Sequence, residues 1–385
     1  MRSESLQIFG RQLVCALAVV LAFTTLSSAQ AYKQTNLVSD VNNINGVPTN
    51  PTQPLDKLLV NPWGMSASAG SPLWVSDNGT GVSTLYNGAG VKQGLVVTIP
   101  VPAGQTTPAT PTGTVFNSSG STTAFSVSAN GKTGKAAFLF ATEDGIIAGW
   151  SPAVDQNNAI IAVPNSKTPA PAIPPIYKGL ALANDGLRDL LYAANFASGK
   201  VEVYDTTFAP VTPTGGFVDR DLPSGFAPFN IQNINGALYV TFAKQGPEGD
   251  ELHGPGLGRV DVFDANGNLL KQLQHGGWLN APWGVALAPA GFGFFSKHLL
   301  VGNFGSGTIA AYDLASGRFD GLLRDANNKF LVIDGLWALR FGNTGAAAPP
   351  TTLFFTAGPD DEHHGLFGTL TPIGDQSPED NGDDR

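Results

Sequence analysis

The residues of this 385-residue chain with the most capacity for chemistry are oxygen-bearing side chains beside short apolar runs. Asn61, Asn230 and Asp334 sit in or next to Pro-Trp-Gly-like motifs, while Asp77, Glu143, Asn195 and Asn303 close apolar runs further on. Two longer stretches add acids and histidines together. Residues 245–258 carry Glu248, Asp250, Glu251 and His253, and residues 358–365 carry Asp360, Asp361, Glu362, His363 and His364. Carboxylate and amide oxygens without thiols suit a hard divalent cation, Ca²⁺ above softer metals. Two carboxyls brought together from distant segments would also serve hydrolysis by an acid–base pair. His363 and His364 with the acids before them form the most metal-like cluster. Adjacent residues of a strand point to opposite faces, however, so both bind one ion only if the backbone there is irregular.

Other chemistries lack their signatures. No H-E-x-x-H or cysteine-based zinc spacing occurs, nor a Walker loop, a Rossmann fingerprint or a G-x-S-x-G elbow. The candidate residues also have a plainer reading. Asp-Asn-Gly-Thr-Gly at 77–81 and Glu-Asp-Gly at 143–145 are turn sequences, in which Asx side chains bond their own backbone. Turn-making is the default for Asn78, Asp144, Asn195 and Asn303, whereas Asp77, Glu143 and Asp334 are open to either role. Trp63, Trp283 and Trp337 read as core, since each ring buries about 150–250 Å².

What positions these groups is an internal repeat. Six related entries begin units roughly 50–65 residues apart. They are Asn61-Pro62-Trp63-Gly64-Met65, Thr110-Pro111-Thr112-Gly113-Thr114, Tyr177-Lys178-Gly179-Leu180, Ala227-Pro228-Phe229-Asn230-Ile231, Ala281-Pro282-Trp283-Gly284-Val285 and Gly335-Leu336-Trp337-Ala338-Leu339. Each is followed by a second and a third apolar run, and several units by a fourth, which is weak in the third unit. Four short antiparallel strands repeated radially make an all-β, six-bladed β-propeller. The sixth unit lacks a fourth run, and Tyr32–Ser39 has no unit of its own, so this segment is assigned as the outer strand closing the ring. In such a ring the entries and the loops between second and third strands share one face, which gathers the candidate residues at an acidic channel mouth.

Composition agrees. With 47 Gly, 28 Pro and only 13% charged residues, the chain has turns in abundance and too few Glu, Lys and Arg for many exposed helices. A net charge of −9 argues against a nucleic-acid partner. Arg2 and Arg11, the apolar run 13–26 and Ala29-Gln30-Ala31 read as a signal peptide over residues 1–31, with the mature chain starting at Tyr32. Cys15, the sole cysteine, falls within it. Residues 32–373 then form the propeller, and residues 374–385 an acidic disordered tail. The product expected is a periplasmic or extracellular monomer with no membrane anchor after cleavage.

The residues Gln34–Asp40, Asn61–Gly64, Trp74–Tyr86, Phe140–Trp150, Tyr192–Asp205, Gly225–Gln232, Pro282–Phe295, Asp334–Trp337 and Leu353–Gly368 carry a resemblance. They resemble an uncharacterised family of secreted bacterial proteins related to the NHL-repeat and gluconolactonase-like six-bladed propellers. The resemblance implies the fold and, through the lactonases, a divalent ion held at the channel mouth by Glu, Asn and Asp from blade entries. The entries here supply Asn61, Asn230 and Asp334 but Thr110, Lys178 and Ala281 elsewhere, so that ligand set is not reproduced. Two functions are therefore expected of the mouth: a scaffold binding a protein, polymer or small molecule, or a divalent-metal-dependent hydrolase of the lactonase type.

Overall fold

The computed structural model describes residues 31–44, 47–48, 55–164, 174–346 and 349–373. The leader 1–30 and the tail 374–385 lie outside them. Six sheets of four or five antiparallel strands follow one another as the blades of a propeller, with two short hairpins beside them. Blade 1 runs from inner to outer strand as Pro62–Ser66, Leu73–Asp77, Val82–Tyr86 and Val97–Thr98. Blade 2 is Pro111–Phe116, Phe138–Thr142, Ile147–Trp150 and Ile160–Val163, with the hairpin Ser126–Ala129/Lys132–Lys135 inserted after its inner strand. Blade 3 is Tyr177–Asn184, Asp189–Asn195, Lys200–Tyr204 and Pro210–Val211. Blade 4 is Phe226–Ile234, Ala237–Gln245, Gly258–Phe263 and Leu269–Gln272, with Glu251–Leu252 added to its second strand. Blade 5 is Pro282–Leu287, Leu299–Asn303, Ile309–Tyr312 and Phe319–Leu322. Blade 6 is Leu336–Phe341, Leu353–Ala357 and Leu366–Ile373, with Ala31–Ser39 paired outside them from Ala31↔Ile373 to Ser39↔Leu366. Among the described residues the helical segments are two single 3₁₀ turns, Pro247–Gly249 and Gly293–Phe295.

The entry motif follows from how closely the inner strands approach. A β-carbon on Gly64 would lie 2.4 Å from the Thr112 carbonyl of the next blade, and one on Gly113 2.5 Å from the Leu180 amide. Gly284 faces the Trp337 carbonyl in the same way at 2.5 Å. Any side chain there would push adjacent blades apart, so glycine is required by packing. The neighbouring tryptophans fill the centre that this approach leaves. Trp63 stacks on Trp337 at 3.5 Å between ring centroids, Trp337 stacks on Phe304 at 3.9 Å, and Trp283 meets both indoles edge-on. The channel below is reduced to about 20 Å³, lined by Gly64, Thr114, Gln232 and Trp283, which is space for roughly one water.

Ring closure generates a test. Tyr32 is buried, its hydroxyl donates to the Phe292 carbonyl (3.1 Å), and its ring lies against Phe292 and Phe295 of blade 5. A chain starting at Asn42 would lose this anchor and expose the edge of Leu366–Ile373. It is expected to melt well below the chain starting at Ala31 and to aggregate in size-exclusion chromatography; an unchanged melt would contradict the structural role given to this strand.

Candidate functional site

Lys178 is the second residue of blade 3's inner strand, and its side chain is only 2% exposed at the mouth of the channel. The ammonium has Glu251 Oε2 at 3.1 Å, Glu143 Oε1 at 3.2 Å and Asp250 Oδ1 at 3.7 Å. It also lies over the faces of Trp63, Phe196 and Phe229, 5.1–5.5 Å from their centroids. Aromatic faces attract a cation where water is excluded. Burial alone would draw the Lys178 pKa down, but the three carboxylates outweigh it and hold the amine above the ordinary lysine range. Burial likewise pushes Glu251 up, but Lys178, His253 and a backbone amide together more than reverse that, so its carboxyl ionises below the usual range. His253, 3.6 Å from Glu251, is raised above the ordinary imidazole value by that carboxylate.

The network crosses the ring. Trp283 Nε1 of blade 5 donates to the Lys178 carbonyl (3.0 Å), and Trp337 Nε1 of blade 6 donates to Asn61 Oδ1 (3.0 Å). Asn61 Nδ2 donates to Asn78 Oδ1 (3.3 Å), and Asn78 Nδ2 to Glu143 Oε2 (2.9 Å). The tryptophan plug thus orients the polar groups above it.

Glu362 reaches this group from residues 358–365, by an unusual backbone. Asp360, Asp361 and Glu362 have φ of 59°, 50° and 65°, a left-handed turn costing about 1–2 kcal/mol per residue. The turn is held from below: Asp40 accepts from the Gly365 amide (2.8 Å) and meets His364 Nδ1 (3.0 Å), and Asp334 accepts from the Asp360 amide (3.0 Å). Glu362 is pushed up to about 7 by burial, then by Glu143 and Glu251, with Lys178 opposing. Three carboxyls therefore surround one ammonium, and a fourth, Glu362, lies within their field with its pKa near neutrality.

The candidates named from sequence divide. Asn61 and Glu143 belong to this network. Asp77 does not: its carboxyl is buried against Thr84 (Oγ1, 2.7 Å) and is raised well above the usual range by desolvation. Asp334 is exposed and anchors a turn, so Asp77, Glu143 and Asp334, each open to a functional role from sequence, are not brought together at one site. Asn195 accepts the Ser198 amide of its own turn, Asn303 accepts the Asn280 amide from the segment before blade 5's inner strand and donates to the Thr308 carbonyl of its own turn (3.2 Å), and Asn230 donates to the Trp283 carbonyl (2.8 Å). Asp360 and His363 are exposed and bonded to each other, His363 Nδ1 to the Asp360 carbonyl at 2.8 Å. Lys178 was the residue to find. Its one signal is a lysine in an entry position of a chain with only 21 Lys and Arg, opposite loops rich in acid.

A divalent ion does not fit this mouth. The carboxylates that would hold it are already drawn onto Lys178 Nζ, a fixed cation supplied by the chain itself. Among the described residues no three His, Cys, Asp or Glu side chains are grouped to hold a metal.

No family model matches the chain. An uncharacterised protein of Acanthamoeba polyphaga mimivirus is 31% identical over 332 residues, covering 84% of this chain and 77% of the relative. A second uncharacterised mimivirus protein is 33% identical over 325 residues, covering 82% and 81%. The chain belongs to the same family as these viral proteins. The secreted bacterial origin expected from the motifs is not supported by these relatives. Among solved structures, a protein of unknown function from Bacteroides thetaiotaomicron is 10% identical with a TM-score of 0.51, covering 89% of this chain and 76% of that one. That likeness concerns the fold alone.

Glu362 gives a pH test. A carboxyl with a folded pKa near 7 and an ordinary value of 4.5 contributes stability that is full below 4.5 and lost as pH rises through 7. Glu362→Gln removes that loss. Relative to the parent, the variant should gain about 1–3 kcal/mol between pH 5 and pH 8 in urea denaturation. A difference independent of pH would contradict the placement of Glu362 among the carboxyls.

Proposed function

We propose that this protein is a binding propeller whose acidic mouth recognises a cationic group on a partner protein or polymer, with no resident metal. One observation carries the reading: Glu143, Asp250, Glu251 and Glu362 outnumber the single ammonium of Lys178, and Asp250 stands 80% exposed at the rim. A cation from outside would meet that surplus charge and draw Glu362 to its ionised form. The aromatic plug supports binding over transport through the ring, because it closes the channel beneath the mouth. The metal-dependent lactonase reading has less support, since Lys178 stands where an ion would need the carboxylates. We also propose export, on the strength of the leader at residues 1–31.

The test combines a melt with a titration. Chelation and added Ca²⁺ should each leave the melting temperature unchanged, while tetralysine should bind with a strong salt dependence and tetraglutamate should not. Glu362→Gln should weaken tetralysine binding. A melt that falls on chelation and recovers with Ca²⁺ would overturn the proposal and restore the metal reading.

A further inference from the structure

Blade 3 is unfinished on its outer side. Its third strand, Lys200–Tyr204, is paired along its whole length with the second strand, from Asn195↔Lys200 to Leu191↔Tyr204. Its outer strand is the dipeptide Pro210–Val211, which meets only Val203 and Tyr204. In blades 2 and 5 the cover begins at the first residue of the third strand, where Ile147 pairs with Val163 and the Leu323 amide reaches the Ile309 carbonyl (3.0 Å), and in blade 4 it begins at the third residue, where the Leu273 amide reaches the Val260 carbonyl (2.9 Å). The Asp205 amide of blade 3 points outward to the Ala209 carbonyl (2.9 Å), and Val203 pairs outward with Val211. Two-residue alternation puts the N–H and C=O of Val201 on that same side. Among the described residues no backbone group meets them.

Beside this open edge runs a groove of about 780 Å³, within the roughly 300–1,000 Å³ of ligand sites. Tyr204, Phe208, Pro210, Pro213, Phe217 and Phe242 give it apolar walls. Its charged wall residues are Lys200, Glu202 and Asp219. Glu202 is fully engaged, accepting from Tyr177, Tyr204 and Asn195 at 2.6–2.8 Å. Asp219 is placed differently. Its Oδ1 accepts from Gln272 (2.8 Å), and behind it Asp261 of blade 4 is 2% exposed, with Oδ2 meeting no donor. Burial, then the nearby Asp219 carboxylate, push Asp261 up to about 8, with Arg259 opposing. Asp219 lines the groove with Asp261 buried behind it, and neither carboxyl has a cation within ion-pair distance among the described residues.

We propose that the groove takes an extended peptide segment of a partner, added antiparallel to Lys200–Tyr204 as the missing part of blade 3's outer strand, with a Lys or Arg side chain set against Asp219. Strand addition supplies main-chain bonds at Val201, the aromatic walls take alternate apolar side chains, and the carboxyl pair selects the basic residue. The exposed edge would otherwise be a liability for the fold.

The probe is the peptide acetyl-Val-Thr-Val-Lys-Val-Thr-amide, with Glu or Ala replacing Lys as controls, titrated by calorimetry into the chain starting at Ala31. The Lys peptide should bind about tenfold or more tightly than the Glu peptide. Its binding should release protons at pH 7, seen as a heat that changes with the buffer, because a cation beside Asp219 lowers the Asp261 pKa. Val201→Pro removes the outward N–H at an edge position that tolerates proline and should weaken binding about tenfold. Asp219→Asn should abolish the preference for Lys over Ala even if Val201→Pro does not fold. Glu362→Gln, at the mouth, should change none of this. No preference among the three peptides, or Lys-peptide binding by both Val201→Pro and Asp219→Asn as tight as the parent's, would overturn the proposal. Binding seen only after excision of residues 165–173, or edge pairing between two copies of the chain, would overturn it too.

Discussion

The mouth depends on one buried ammonium. Removing an ion from water costs several kcal/mol even after relaxation, so Lys178 is tolerable only with strong partners in fixed places. Those partners come from different blades: Glu143 from blade 2, Asp250 and Glu251 from blade 4, and the Trp63 ring from blade 1. Blades 5 and 6 enter through the hydrogen bonds of Trp283 and Trp337. A propeller already brings six inner strands to one axis. Lys178 gives elements of blades 1, 2 and 4 a common electrostatic target there.

The same ammonium explains why this mouth differs from one built around a metal. An ion would have to displace Lys178 Nζ from Glu143 and Glu251, leaving a buried lysine with no counter-charge. The surplus carboxyls instead remain available at the rim, where Asp250 is exposed and Glu362 is poised near neutrality. Fold likeness alone does not choose a chemistry, since one propeller frame carries many unrelated sites. The family relatives, being uncharacterised viral proteins, leave that choice to the residues.

How much of this the sequence displays depends on range. The inner, second and third strands are legible because Pro-Trp-Gly and the following apolar runs repeat, and the structure places strands at each of them. The outer strand of blade 5, Phe319–Leu322, is not, since a half-buried edge strand of four residues has no clear alternation. Asn303 and Asn195 read as turn formers because one partner of each, Thr308 and Ser198, lies a few residues away. Lys178 and Glu251 are 73 residues apart, and nothing local marks them as a pair. Asp77 shows the converse: it looks like a loop carboxylate, but it closes a strand and its carboxyl is buried against Thr84 of the next strand. Likewise none of the three left-handed residues 360–362 that carry Glu362 is itself a glycine that would announce the turn.

A double-mutant cycle on Lys178 and Glu251 tests the central claim most directly. Urea denaturation at pH 7 would be compared for the parent, Lys178→Met, Glu251→Gln and the double variant. Lys178→Met should cost about 3–5 kcal/mol by stranding buried carboxylates. The double variant should cost less than the sum of the singles by on the order of 1–3 kcal/mol, the signature of a direct pair. Additive losses would mean that the Lys178 ammonium does not hold Glu251, and the account of the mouth would fail.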